Sequence, residues 1–323
     1  MFAVRFSEHE VSLRLRVPIG PLASLLFLLL LGCGSGTTSN ESTVLTADAC
    51  AHPECRMRDG GAPPSSVLLV DTNWLEAHLG DPDVQAIDTR ASGYERARIP
   101  GAISLRPGDL TATVEGVPSQ VAPSMQAQPV LRAAGLRNDV IAVVYGGSPE
   151  YDSSRVVWAL RYYGHVDVRY LDGGYAGWVA AGGALDNDPP SLDSTQYTIV
   201  GVDEDLRATG DWVLGQLGDP PYTKPDIQLV DARSESEYAS GHIPSARSVN
   251  WTSNLACGFL RAETDLQVLY EAMDPATTTV TYCVTGWRGS FAWLTLTALG
   301  YQDVRLYDGS WNEWGNGAFP VEP

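Results

Sequence analysis

Positive charge is what this 323-residue chain has least of for its size: 21 Lys+Arg stand against 39 Asp+Glu, a formal net charge of −18 at pH 7. A grip on nucleic-acid phosphates would work against that field, so DNA and RNA are excluded as expected partners. The same acidity slows a small anionic substrate unless arginines reverse the sign locally, so arginine clusters matter. A comfortable membrane span is missing as well, because the apolar run over residues 17–31 is short and broken by Pro18 and Pro21. With 44% hydrophobic and 19% charged residues, the composition is that of a globular protein long enough for two ordinary domains. Cysteine is scarce: only Cys33, Cys50, Cys55, Cys257 and Cys283 occur, so each one needs placing.

Arg5, Arg14 and Arg16 precede the apolar run, and Leu30-Leu31-Gly32-Cys33 ends it. This is the pattern of an export signal, and it resembles the lipobox of bacterial lipoproteins, whose cysteine becomes the lipidated first residue of the mature chain. The resemblance implies a signal peptide over residues 1–32, a lipid anchor on Cys33 and a place in the cell envelope. Gly34 leans that placement toward the outer membrane. Residues 33–65 are rich in Gly, Ser, Thr, Asn and Pro without periodicity and read as a flexible tether. Disulfides persist in an exported tether, so a local Cys50–Cys55 bridge is expected. His52 and two thiols are too few ligands for zinc, and no metal is expected.

From Ser66 onward, short β-rich runs alternate with helical segments, the pattern of an α/β protein with mainly parallel sheets flanked by helices. The runs repeat. A strand ending in Asp88-Thr89-Arg90 is followed by Arg98-Ile99-Pro100-Gly101-Ala102, and one ending in Asp231-Ala232-Arg233 by His242-Ile243-Pro244-Ser245-Ala246. A helix is expected between strand and turn in each copy. Later strands, residues 140–145 and 278–282, lead through loops to helices expected over residues 154–163 and 289–299, each stopped by a glycine. Both copies close on an aromatic turn, Tyr170-Leu-Asp-Gly-Gly-Tyr-Ala-Gly-Trp178 and Leu306-Tyr-Asp-Gly-Ser-Trp-Asn-Glu-Trp314. Two copies of one domain fit, over residues 66–187 and 198–323, with residues 188–197 as linker.

In a parallel α/β sheet, ligands bind beyond the carboxyl ends of strands, where Arg233 and Cys283 both lie. Cys283 opens the loop Val284-Thr285-Gly286-Trp287-Arg288 between a strand and a helix N-terminus, a place where successive backbone N–H groups converge on an anion. A thiolate or persulfide suits that cradle, since helix-terminal amides and arginine favour the charged sulfur and make it nucleophilic. Arg288 and Arg233 are candidates to bind an anionic donor bidentately. Arg233 has an equally good alternative as a structural salt bridge with Asp231 or Glu237. Trp287 can shape the pocket mouth or simply pack, and His242 reads as a hydrogen-bonded turn residue. Cys257 lacks such surroundings and reads as structural, with a redox partnership to Cys283 left open.

These motifs resemble the tandem-domain rhodanese family of thiosulfate and 3-mercaptopyruvate sulfurtransferases over residues 67–323. Tyr238-Ala-Ser-Gly-His-Ile-Pro-Ser-Ala246 matches its first signature with Ser245 in place of glycine, and Tyr307-Asp-Gly-Ser-Trp-Asn-Glu-Trp314 matches its second. The resemblance implies that Cys283 takes a sulfane sulfur from a donor and passes it to a thiophilic acceptor such as cyanide or a thiol, without a cofactor. The first copy departs: Gly146 stands where the cysteine belongs, Glu150 and Asp152 follow it, and Arg98 replaces the signature histidine. That half is expected to be noncatalytic. Phosphatases and arsenate reductases on the same fold need Cys-x5-Arg, whereas Cys283-x4-Arg288 is one residue shorter and suits a single sulfur. A rhodanese-like binding or sulfur-relay module without turnover is the alternative from another class. Val284 and Thr285 match neither the basic pair of many thiosulfate enzymes nor the Gly-Ser of mercaptopyruvate enzymes, so the donor stays open.

Overall fold

The computed structural model describes residues 62–148, 150–188, 193–222 and 225–323. The expected signal peptide, the lipidation of Cys33 and the Cys50–Cys55 bridge lie outside them. No helix among the described residues is long and apolar enough to cross a membrane.

The first repeat opens with β1 (Leu69–Val70) and α1 (Thr72–His78), whose N-cap Asp71 accepts a hydrogen bond from the Trp74 amide. It continues through β2 (Val84–Asp88), β3 (Ile103–Ser104), a hairpin of β4 (Thr111–Val114) and β5 (Val117–Val121), and α2 (Ser124–Ala133). Then come β6 (Ile141–Tyr145), α3 (Tyr151–Tyr162), β7 (Asp167–Leu171) and α4 (Gly174–Ala180). Five strands form a wholly parallel sheet in the order β1-β7-β6-β2-β3.

The second repeat traces the same path. It runs β8 (Arg207–Ala208), α5 (Gly210–Leu217), β9 (Gln228–Asp231), α6 (Glu235–Ala239), β10 (Arg247–Ser248) and a hairpin of β11 (Leu255–Ala256) and β12 (Phe259–Leu260). It ends with α7 (Glu263–Leu269), β13 (Thr279–Tyr282), α8 (Trp287–Ala298), β14 (Val304–Tyr307) and α9 (Ser310–Trp314). Its parallel sheet, β8-β14-β13-β9-β10, has the order of the first.

Two expectations need correcting. The helix after Asp-x-Arg forms only in the second repeat, where Ser234 and Glu237 make a capping box for α6. Residues 91–97 of the first repeat turn instead; no such box exists there, and Gly93 sits at φ +98°. The long helices also begin three and two residues earlier than their apolar periodicity suggests, at Tyr151 and Trp287.

The two halves share one core. Helices α3 and α8 pack together, and the Oγ atoms of Ser154 and Ser290, fourth residues of their helices and both fully buried, lie 2.9 Å apart. Each half's hairpin reaches across: the Val121 amide donates to Asp308 Oδ2 at 2.7 Å, and the Leu260 amide to Asp172 Oδ1 at 2.8 Å. Asp172 and Asp308 hold equivalent places in the two aromatic turns, so the exchange is pseudo-symmetric. Phe291 of α8 is wholly buried against Tyr170 of the first half and Trp251 of its own, which adds roughly 1.5–3 kcal/mol of apolar burial to the joint.

Candidate active site

Every residue of β13 is buried, and the strand delivers Cys283 to the floor of the loop that opens α8. Gly286 makes the turn at φ +81° as N-cap, a conformation that favours glycine. Cys283 is a free thiol with 1% of its surface exposed. Its carbonyl accepts from the Trp311 amide at 3.0 Å, and that of Val284 from Asn312 at 3.0 Å, so α9 braces the loop from behind. The Cys283 amide is committed to Ser310 Oγ at 3.3 Å and is not part of the anion cradle. What remains for a sulfur anion are the N–H groups that follow, which include the first helical amides, without acceptors inside their own helix.

Ser310 is a residue that sequence reasoning missed, although it lies within the aromatic-turn motif. It holds φ +52°, where its counterpart in the first repeat is Gly174 at φ +53°. A left-handed serine costs about 1–2 kcal/mol relative to ordinary backbone. Its hydroxyl offsets that cost by accepting from Cys283 and donating to the Tyr307 carbonyl at 2.7 Å.

Arg288 lies beside the sulfur. Its two terminal nitrogens clasp Glu237 at 2.7 and 2.8 Å, a bidentate pair across 51 residues. That pairing raises the guanidinium pKa above its ordinary value against the opposing effect of burial, with the Cys283 sulfur adding to the rise. Hydrogen bonding to Arg288 in turn holds Glu237 down at about 2. The first repeat contributes Tyr151, whose ring meets Trp251 edge-on at 4.9 Å. Burial raises the Tyr151 pKa, aided by Asp152 and Cys283 and opposed by Arg288, so the phenol belongs to the surroundings of the thiol. Neither Glu237 as the partner of Arg288 nor Tyr151 was identifiable from motif spacing. Both arrive through tertiary contacts.

Arg233 does not reach toward a donor. Nε and Nη2 grip Asp231 at 3.0 and 2.6 Å, Nη2 donates to the Gly241 carbonyl, and the side chain is 3% exposed. Arg90 makes the same bonds to Asp88 and the Ala97 carbonyl in the half without a cysteine, which marks the pair as architectural. The expectation of a donor-binding Arg233 is therefore corrected in favour of the salt bridge with Asp231. His242 stacks on Tyr238 with ring centroids 3.7 Å apart and hydrogen-bonds the Tyr238 carbonyl through Nδ1 at 3.1 Å, as a turn residue. Cys257 is disulfide-bonded, whereas Cys283 is free. The open redox pairing with Cys283 is thus not formed in this structure.

The corresponding place in the first repeat is closed to a thiol. A Cβ on Gly146 would lie 2.8 Å from Thr89 Oγ1 and 3.1 Å from Ser153 Oγ. Asp152, second residue of α3 as Arg288 is of α8, is raised to about 6 by burial, and burial raises Glu150 too. Arg98, in the place of the signature histidine, instead bonds Asp186 at 2.9 Å and the Asp188 carbonyl. No group of three or more His, Cys, Asp or Glu side chains suited to a metal occurs among the described residues.

Two matching parallel α/β halves, one with a cysteine loop at a helix N-terminus and one without, define a duplicated α/β protein with a single thiol site. The sequence profile of the rhodanese-like domain matches residues 71–181 and again 210–316, and the chain belongs to the rhodanese-like family. It is 34% identical to SseA of Mycobacterium leprae over 282 residues, covering 83% of this chain and 90% of that one. It is 31% identical to the thiosulfate sulfurtransferase of Corynebacterium glutamicum over 270 residues, covering 77% and 87%. Among solved structures, the 3-mercaptopyruvate sulfotransferase SseA of Escherichia coli superposes with a TM-score of 0.69 at 24% identity, over 77% of this chain and 100% of that one.

Proposed function

We propose that this protein is a sulfurtransferase that carries sulfane sulfur on Cys283. The reading rests on one observation above the rest: a free cysteine stands at the N-terminus of a 12-residue helix, beside the arginine that closes its loop. With thiosulfate, the Cys283 thiolate attacks the outer sulfur, the new S–S bond forms as the old one breaks, and sulfite leaves with its electron pair. The persulfide anion then rests on the loop amides. An acceptor such as cyanide or a thiolate attacks the outer sulfur, which departs as thiocyanate or a persulfide and restores the thiolate. With 3-mercaptopyruvate the thiolate attacks the donor sulfur as its C–S bond breaks, and the electron pair passes into the enolate of pyruvate, which takes up a proton.

Thiosulfate and cyanide are expected to yield thiocyanate, and Cys283→Ala to abolish it; an unchanged rate in that variant sinks the assignment. A relay reading draws on one specific observation: Arg288 and Arg233 are both bound to carboxylates. A relay protein would accept sulfur from a persulfidated protein yet show no turnover with either small donor. The envelope placement is likewise proposed, from Leu30-Leu31-Gly32-Cys33 alone, and the intact mass of the mature protein tests for lipid on Cys33.

A further inference from the structure

The cysteine loop has an unexpected neighbour from the other half of the molecule. Arg155, fifth residue of α3, is 1% exposed and forms an ion pair at 2.6 Å with Asp308 Oδ1, itself wholly buried. Its Nη2 donates to the Ser119 carbonyl at 3.2 Å. Its Nη1 is buried without a hydrogen-bond partner and lies 3.2 Å from where a Cβ on Gly286 would stand. Asp308 Oδ1 lies equally close to that point, and the Asp308 carbonyl at 3.1 Å. Asp308 is two residues before Ser310, whose hydroxyl takes the Cys283 amide. The noncatalytic half thus places a cation, paired to an acid of the cysteine-bearing half, against the back of the loop.

The pseudo-symmetry shows that this is not a general feature of the joint. The fifth residue of α8 is Phe291, which packs on Tyr170 and Trp251 near the other aromatic turn. Asp172, the equivalent of Asp308, accepts the matching hairpin amide from Leu260. At this helix position the arginine stands in the copy that packs on the cysteine loop, and a phenylalanine stands in the other.

We propose that Arg155 is a positioning residue for the Cys283 chemistry: from the noncatalytic half, it fixes the loop through Asp308 and sets the electrostatic field felt by the sulfur anion. Asp308 partly cancels that field while holding the arginine in place. The assignment rests on Cys283 being the reactive thiol of the proposed function, but its test needs no sulfur donor. A cation near a cysteine favours the thiolate, and the thiolate is the species that alkylates.

The test is the rate at which iodoacetamide labels Cys283 at fixed pH, followed by mass spectrometry of the Cys283 peptide, with thermal unfolding as the control for folding. Arg155→Gln keeps hydrogen-bonding capacity without charge and is expected to slow labelling about tenfold. Asp308→Asn keeps an acceptor for the Val121 amide but leaves Arg155, and Arg207 at 3.8 Å, without their acid, and is expected to speed labelling about threefold. A purely structural contact would not give opposite signs. If Arg155→Gln fails to fold, Asp308→Asn carries the test alone, and a slowed or unchanged rate in it overturns the inference. Equal slowing in two folded variants, or no change in either, also overturns it. Opposite signs with no Cys283 persulfide formed by the wild type would support the role of Arg155 and overturn sulfur transfer as the function.

Discussion

The two halves of this molecule share a sheet order, an Asp-x-Arg salt bridge and a tyrosine that receives a backbone amide, Ile99 to Tyr145 in one and Ile243 to Tyr282 in the other. They differ at a few points around one loop. Gly146 corresponds to Cys283, Asp152 to Arg288, Gly174 to Ser310, and Arg155 to Phe291. The shared features hold the fold. The unshared ones, three from the second half and Arg155 from the first, gather around the cysteine loop, so the comparison separates architecture from chemistry.

The strongest way to break that division is to move the sulfur carrier. Gly146→Cys in a Cys283→Ala background should recover no turnover, leaving activity at least about a thousandfold below the wild type. The steric conflict with Thr89 and Ser153 should also lower stability by about 1–3 kcal/mol in chemical denaturation. A second persulfide at residue 146, seen by mass spectrometry, would refute the view that the first half is closed to this chemistry.

Next in size is the charge at the loop's end. Arg288→Met removes the cation beside the sulfur and leaves Glu237 half-exposed and unpaired, so turnover is expected to fall about a hundredfold. Steady-state kinetics that find less than a threefold loss would return Arg288 to a purely structural role.

Ser310→Gly makes the second half resemble the first at its strained position. Relief of about 1–2 kcal/mol of left-handed strain offsets loss of hydrogen bonds worth about 1 kcal/mol each, so stability should move by less than about 1 kcal/mol. Turnover should nonetheless fall about tenfold, because the loop loses the hydroxyl that fixes the Cys283 backbone and with it the position of the sulfur. Equal activity in the two proteins would remove Ser310 from the site.

The smallest expected effect concerns the acid opposite Arg288 in the comparison. Burial lifts the Asp152 carboxyl to about 6 from an ordinary 3.8, so the folded state disfavours its charged form. Stability present below pH 4 is therefore lost as pH rises toward 6, and the loss stays constant above that. A shift of this size corresponds to about 3 kcal/mol when fully realised. Partial exposure to water reduces that to about 1 kcal/mol. Asp152→Asn should stabilise the protein by about that amount at pH 8 and not at all below pH 4, as denaturant titrations at the two values would reveal.

Much of this is legible from local sequence patterns. The duplicated Asp-x-Arg strands, the paired aromatic turns and the Cys283-to-Arg288 spacing are local patterns, so backbone periodicity and turn chemistry carry them in the sequence itself. The helix boundaries were less legible, because the first turns of α3 and α8 carry loop and site residues in place of an apolar stripe. Arg233 could not be resolved from Asp-x-Arg alone, since a guanidinium two residues from a carboxylate can serve either that partner or a ligand. Its duplication in the half without a cysteine decided the matter.

By itself, the sequence determined that this is a two-copy α/β protein with one cysteine placed for nucleophilic chemistry, because those features depend on residues within a few positions of one another. Only the tertiary structure decided what surrounds the sulfur. Glu237, Ser310, Tyr151 and Arg155 come from three separate elements, α6, α9 and α3, the last of them in the half that lacks a thiol. The physical reason is the shared core: packing α3 against α8 and exchanging the hairpins brings distant polar groups into a dry region, where a single hydrogen bond or charge counts for more than it does in water.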